Sequence, residues 1–149
     1  TEAEWAWVAR VQSDGALFRY AWGDHYPPVN ISGNYADQQT KKITDFTVTG
    51  HDAGFTGPAP TGSFAPNQNS LYDIEGNVAE WVHDFYTIYS AATSQVSIDP
   101  TGPKQGKHHV VRGSSWLRGT MSNTRLAYRD YRENAHAEIG FRIARYIDE

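Results

Sequence analysis

The stretch DIEGNVAEW, residues 73–81, crowds oxygen-bearing groups together. Asp73 and Glu80 bring carboxylates and Asn77 brings an amide oxygen. Gly76 permits a bend tight enough to turn backbone carbonyls inward. Calcium takes about six to eight oxygens from carboxylates, amides and carbonyls, so these residue types could hold it. The spacing is not that of an EF-hand. The same residues also read as the capped start of a helix, with Asp73 or Asn77 as the cap and acids where they suit the helix dipole. The residues alone leave both readings open.

Other metal and nucleophile chemistry is thin. The chain has no cysteine, which removes thiolate metal sites, a cysteine nucleophile and disulfides. Its six histidines are His25, His51, His83, His108, His109 and His136. None forms an H-x-H or H-x-x-x-H pair, and the neighbours His108 and His109 would point to opposite faces of a strand. Non-heme iron typically asks for two histidines and a carboxylate on one face. Ser114 and Ser115 lie near histidines but lack the strand-turn-helix setting of a nucleophile elbow.

The elements that must position these groups are few. The 149 residues suit one domain, with no linker, internal repeat or low-complexity segment. Thr1–Val11 is expected to be a helix, with Thr1 and Glu4 spaced as a capping box and Trp5, Val8 and Ala9 on one face. Residues 20–70 show no sustained period and are dense in Gly, Pro, Asn and Asp. So long an irregular stretch needs buried aromatics or ions to hold it. Trp22, Tyr26, Tyr35, Phe46, Phe55 and Phe64 could serve. Gly76–Tyr86 reads as a second helix, with Val78, Trp81, Val82 and Phe85 on one face. Strands are expected at 108–116, 125–132 and 139–147, giving a loop-rich α+β domain with a small antiparallel sheet under two helices.

Charge and hydropathy exclude some partners. Thirteen basic against 17 acidic residues give a net charge of −4, which does not suit nucleic acid. No apolar run approaches the ~20 residues that span a bilayer, and no targeting segment opens the chain, so a soluble protein of unassigned compartment is expected.

TEAEW, YAWGD, the PTGSF to LYDIEGNVAEW block, VVRGSSW, the R-x-AYRD segment and GFRIAR follow one another in a fixed order. In this order the sequence resembles the formylglycine-generating enzyme, or sulfatase-modifying factor, family, over essentially the whole chain. The resemblance implies a C-type-lectin-like fold and a bacterial relative. Because the chain starts inside the family's RLPTEAEW motif, it also implies the C-terminal portion of a larger domain.

Further expectations come from the resemblance. Calcium ions pin the family's loops, so one or two calcium sites are implied. One set is Asp73 and Glu80 through side chains with the Gly76 and Val78 carbonyls. The other is the Asn34 side chain, the Tyr35 and Phe55 carbonyls and an acid. Ala53 stands where that acid belongs, leaving Asp52 one residue earlier. Oxidising relatives bind copper through two cysteines, and Arg118 and Asn123 stand at those positions. Copper is therefore not expected. Trp116, Arg118, Asn123, Arg125, Tyr128 and Arg129 fall where the family has its ligand groove, and aromatic faces with Arg forks suit peptides, carboxylates or sugars. The same alternation also reads as a solvated strand face, with Arg129 and Arg142 paired to Asp130, Glu138 or Asp84. The implied function is a calcium-stabilised, non-catalytic module, a pseudoenzyme that binds a peptide, protein or glycan. The alternative is a non-heme-iron oxidoreductase completed by an N-terminal region or partner domain. An apolar face left bare by an absent N-terminal part could also drive homodimerisation.

Overall fold

The computed structural model describes residues 1–89 and 96–146. Helix α1 spans Glu2–Arg10, as its capping pattern predicts. The Thr1 hydroxyl accepts from the Glu4 backbone N–H at 3.3 Å, and the Glu4 side chain bonds back to Thr1. Trp5 and Ala9 turn inward and join Ile74 and Leu126 in a small apolar core, with Val8, Phe18, Leu71 and Val82 around it.

The expected second helix is a strand. β1 runs Ala79–Phe85, preceded by a turn in which Asp73, Gly76 and Asn77 all have positive φ (52°, 81° and 60°). Three left-handed residues within five cannot begin an α-helix. The apolar spacing at 78, 81, 82 and 85 matched a helical period, but sheet pairing decides the outcome, as it commonly does for short apolar runs.

The other strands are shorter than their patterns. β2 is His109–Arg112, β3 is Arg129–Arg132 and β4 is Ile139–Gly140. Residues 125–127 form a bend and turn, and 128 and 141–146 have no regular structure. Residue 147, the end of the expected last strand, lies outside the described residues. The sheet order is β3-β2-β1-β4. β1/β2 and β2/β3 are antiparallel, with Glu80 opposite Arg112 and Arg112 opposite Arg129. β4 runs parallel to β1, so the sheet is mixed, not purely antiparallel. The connection from β3 carries the chain to the far edge of the sheet, where it lies in the same direction as β1.

The 20–70 region is held largely as expected. Its one regular piece among the described residues is a 3₁₀ turn, Gln38–Thr40. Tyr20 stacks on Trp22 at 4.9 Å, Trp22 meets Tyr35 edge-on at 5.1 Å, and Tyr35 meets His51 at 5.7 Å. Phe55 and Phe64 form a separate pair. Phe46 is the exception: it is exposed and holds nothing down.

Candidate functional site

Two groups of interest lie on opposite faces of the sheet, because neighbouring residues on a strand point opposite ways. On the α1 face, Arg129 grips Glu2 with two bonds of 2.6 and 2.8 Å, and Arg112 reaches the same carboxylate at 3.2 Å. On the other face, Asp130 accepts from Arg118 at 2.9 Å. Arg118 also bonds both oxygens of Glu138 at 3.1 Å, and the Ser115 hydroxyl donates to Glu138. Arg118, Ser115 and Glu138 are all buried. Burial raises the Glu138 pKa, but Arg118 and Ser115 outweigh it and leave the carboxyl below its ordinary value.

Of the residues expected in a groove, the structure gathers Arg118 and Tyr128, whose ring centre lies 5.7 Å from the guanidinium. Arg129 faces away, toward Glu2 and the Thr87 carbonyl. Asn123 accepts from the Thr120 N–H within a local turn, Arg125 is exposed, and Trp116 is half-buried. The expected ion pairs are also redistributed. Arg129 pairs with Glu2 and Arg142 with Glu80, while Asp130 and Glu138 serve Arg118.

The two expected calcium sets adjoin. The Asn77 N–H donates to the Asn34 carbonyl at 2.7 Å, and a Cβ on Gly76 would come within 3.1 Å of that carbonyl. Glycine is required here by both its φ and this contact. The sets differ as cation ligands. Asn34 is fully buried, and its amide nitrogen donates to the Gly57 carbonyl and to Asn77. That fixes its orientation and leaves Oδ1 buried with no donor among the described residues. An oxygen so placed fits a hard cation. The Tyr35 and Phe55 carbonyls accept no backbone hydrogen bond among the described residues. Asp52 turns instead to Gln38, Gln39 and the Gly54 N–H. The buried acid of this loop is Asp37, which the sequence reading missed and which accepts from the Ala53 N–H at 2.6 Å.

The 73–80 set is closed around an arginine. Glu80 accepts from Arg142 Nε at 2.8 and 2.9 Å, from Arg142 Nη2 at 2.5 Å, and from Trp5 Nε1 at 2.8 Å. Arg142 Nη2 also donates to the Tyr72 and Asp73 carbonyls at 3.1 and 3.2 Å. Asp73 accepts from the Gly62 N–H, and Val78 packs on Gly140. As it stands, Arg142 and Trp5 already engage both oxygens of Glu80, and the Arg142 guanidinium sits where an ion would have to approach, so this set does not fit calcium without displacing Arg142.

Glu75 was also missed. Both its oxygens are buried without a hydrogen bond of full geometry, and the Ser114 backbone N–H only weakly serves them. Burial pushes its pKa well above the usual carboxylate range; Arg112 partly offsets this and Glu80 adds to it. The folded protein therefore holds a proton that the unfolded chain releases near pH 4.5. Stability from this group is full below that pH and falls as the pH rises toward the folded-state pKa. Glu75→Gln should raise Tm at pH 7 in the presence of a chelator and leave it unchanged near pH 4. Equal shifts at both pH values would refute this assignment.

Among the described residues no three His, Cys, Asp or Glu side chains cluster as a metal centre, and no helix is long and apolar enough to cross a membrane.

Comparison with known proteins agrees with the sequence motifs. The sulfatase-modifying factor enzyme 1-like domain matches residues 1–147. Formylglycine-generating enzymes from Thermomonospora curvata and Bos taurus are 38% and 34% identical to this chain, each over 97% of it. The chain spans 48% and 37% of those two proteins. A mouse protein named inactive C-alpha-formylglycine-generating enzyme 2 is 33% identical over 78% of the chain, which covers 30% of it. Among solved structures, Treponema denticola variable protein 1 superposes with a TM-score of 0.72 at 26% identity, over 95% of this chain and 44% of that one. PvdO from Pseudomonas aeruginosa gives 0.63 at 27% identity, over 95% and 49%. With its motifs, its small mixed sheet and these relatives in agreement, the chain belongs to the formylglycine-generating enzyme family.

Proposed function

We propose that the chain is a calcium-stabilised, non-catalytic binding module of this family. The observation that carries the reading is the state of Arg118, at the position where the family resemblance puts a copper-binding cysteine. It is a buried arginine bound to Glu138 and Asp130. A fixed positive charge disfavours a copper(I) ion there, and the chain has no cysteine to supply a thiolate. Relation to a mouse protein named as inactive supports the same reading. The unpartnered Asn34 Oδ1 supports calcium, with the Tyr35 carbonyl next to it in sequence and Phe55 two residues from the Gly57 carbonyl that Asn34 bonds. A bound ion would crosslink loops that lack hydrogen-bond ladders. Tyr128, with the Arg118 guanidinium 5.7 Å from its ring, offers an aromatic and cationic surface for a peptide, protein or glycan ligand.

The catalytic half of this reading is tested by a copper(I) titration against a competing chelator, followed by incubation with a cysteine-bearing peptide and oxygen under mass spectrometry. Neither stoichiometric copper binding nor peptide oxidation is expected. Formation of formylglycine would overturn the proposal.

A further inference from the structure

The largest described cavity, about 610 Å³, opens between α1, β2, β3 and the segment after β1. It lies on the opposite face of the sheet from Arg118. Its size is in the range of small-molecule sites, roughly 300–1,000 Å³. Small side chains, Ala3, Ala6 and Ala127, are among those that line it.

Its charge is unbalanced. Arg10, Arg112 and Arg129 line it against only Glu2 and Asp84. Glu2 is shared by Arg112 and Arg129, and Asp84 accepts from the Glu2 backbone N–H at 2.7 Å. Arg10 makes no ion pair among the described residues, and its Nε is buried without an acceptor. Arg112 is 3% exposed, and its Nε is likewise buried without an acceptor. Both are guanidinium N–H donors buried without an acceptor, so the positive charge here is under-compensated. Arg10 lines the cavity, so an anion there would meet its guanidinium and offset its charge. The remaining walls, including Tyr89 and Pro100, present apolar surface.

We infer that this cavity binds a small organic carboxylate, its charged end held by Arg10 and its apolar body against Ala3, Ala6 and Tyr89. Arginine suits the task because its planar fork matches a carboxylate. This inference stands apart from the calcium and copper readings, since it uses none of their residues.

The test follows arginine Nε–Hε signals by NMR in low salt while phenylacetate, its neutral amide phenylacetamide, or inorganic phosphate is added. Phenylacetate should move the Arg10 signal saturably, and phenylacetamide should not. Arg10→Gln should weaken phenylacetate about tenfold or more, the size expected for a hydrogen bond between charged groups. It should not lower Tm, because Arg10 makes no ion pair among the described residues. Equal responses to acid and amide, or undiminished affinity in Arg10→Gln, would overturn the site. Saturable binding of phosphate without phenylacetate would overturn the carboxylate assignment.

Discussion

Arg118→Met is expected to destabilise the protein by about 3–5 kcal/mol, because it removes one partner of a buried ion pair and leaves the others in place. Glu138 would keep only Ser115 and a half-exposed His136 at 3.6 Å. Asp130 would retain Arg132, so most of the loss comes from Glu138. In a chain of this length that is roughly a 10 °C fall in Tm. The loss should have an acid dependence. Because the Glu138 pKa is depressed in the folded state, its contribution is present above the ordinary carboxylate range and disappears as pH falls through the folded value. The wild type and Arg118→Met should therefore converge in acid. Thermal melts from pH 3 to pH 7 check both points. A variant as stable as wild type at pH 7 would mean that Arg118 is a ligand contact and not a structural cation.

Glu80→Ala should lose about 2–3 kcal/mol, less than Arg118→Met. Trp5 Nε1 would be stranded in the core, but Arg142, whose side chain is 32% exposed, can turn to water. The informative feature is its calcium dependence. If Glu80 serves Arg142 and Trp5, the loss is the same in calcium and in chelator. If Glu80 must ligate an ion, the loss is present in calcium and vanishes in chelator. The closed geometry around Arg142 predicts the first pattern.

The sequence carried the first helix, because a capping box is a local signal that the fold leaves intact. It carried most of the aromatic support of the 20–70 loops, because burying large rings is strongly favourable, with the exposed Phe46 as the exception. It misread 76–86 because Val78, Trp81, Val82 and Phe85 are consistent with either period, and the positive φ at Asp73 and Asn77 is invisible in residue types that tolerate it without requiring it. The parallel pairing of β4 could not be read either, since two residues carry no pattern. Of the residues expected in a groove, Arg118 and Tyr128 meet while Arg129 faces away, and the pairings that decide this were not legible. Glu2, 110 residues from Arg112, gathers two arginines into one buried cluster, and nothing local marks it. Glu75 looks like one more acid in a polar turn and becomes distinctive only once burial strips it of partners.

The proposed calcium ion at Asn34, pinning the surrounding loops, is tested most directly by a thermal melt in excess calcium against chelator. With calcium at about 100 times its dissociation constant, mass action adds about 2.7 kcal/mol. In wild type that is roughly a 5–10 °C rise in Tm. The same rise should be absent in Asn34→Ala and retained in Asp73→Ala. Coincident wild-type melts would contradict the claim and leave the loops held by their aromatic cluster alone.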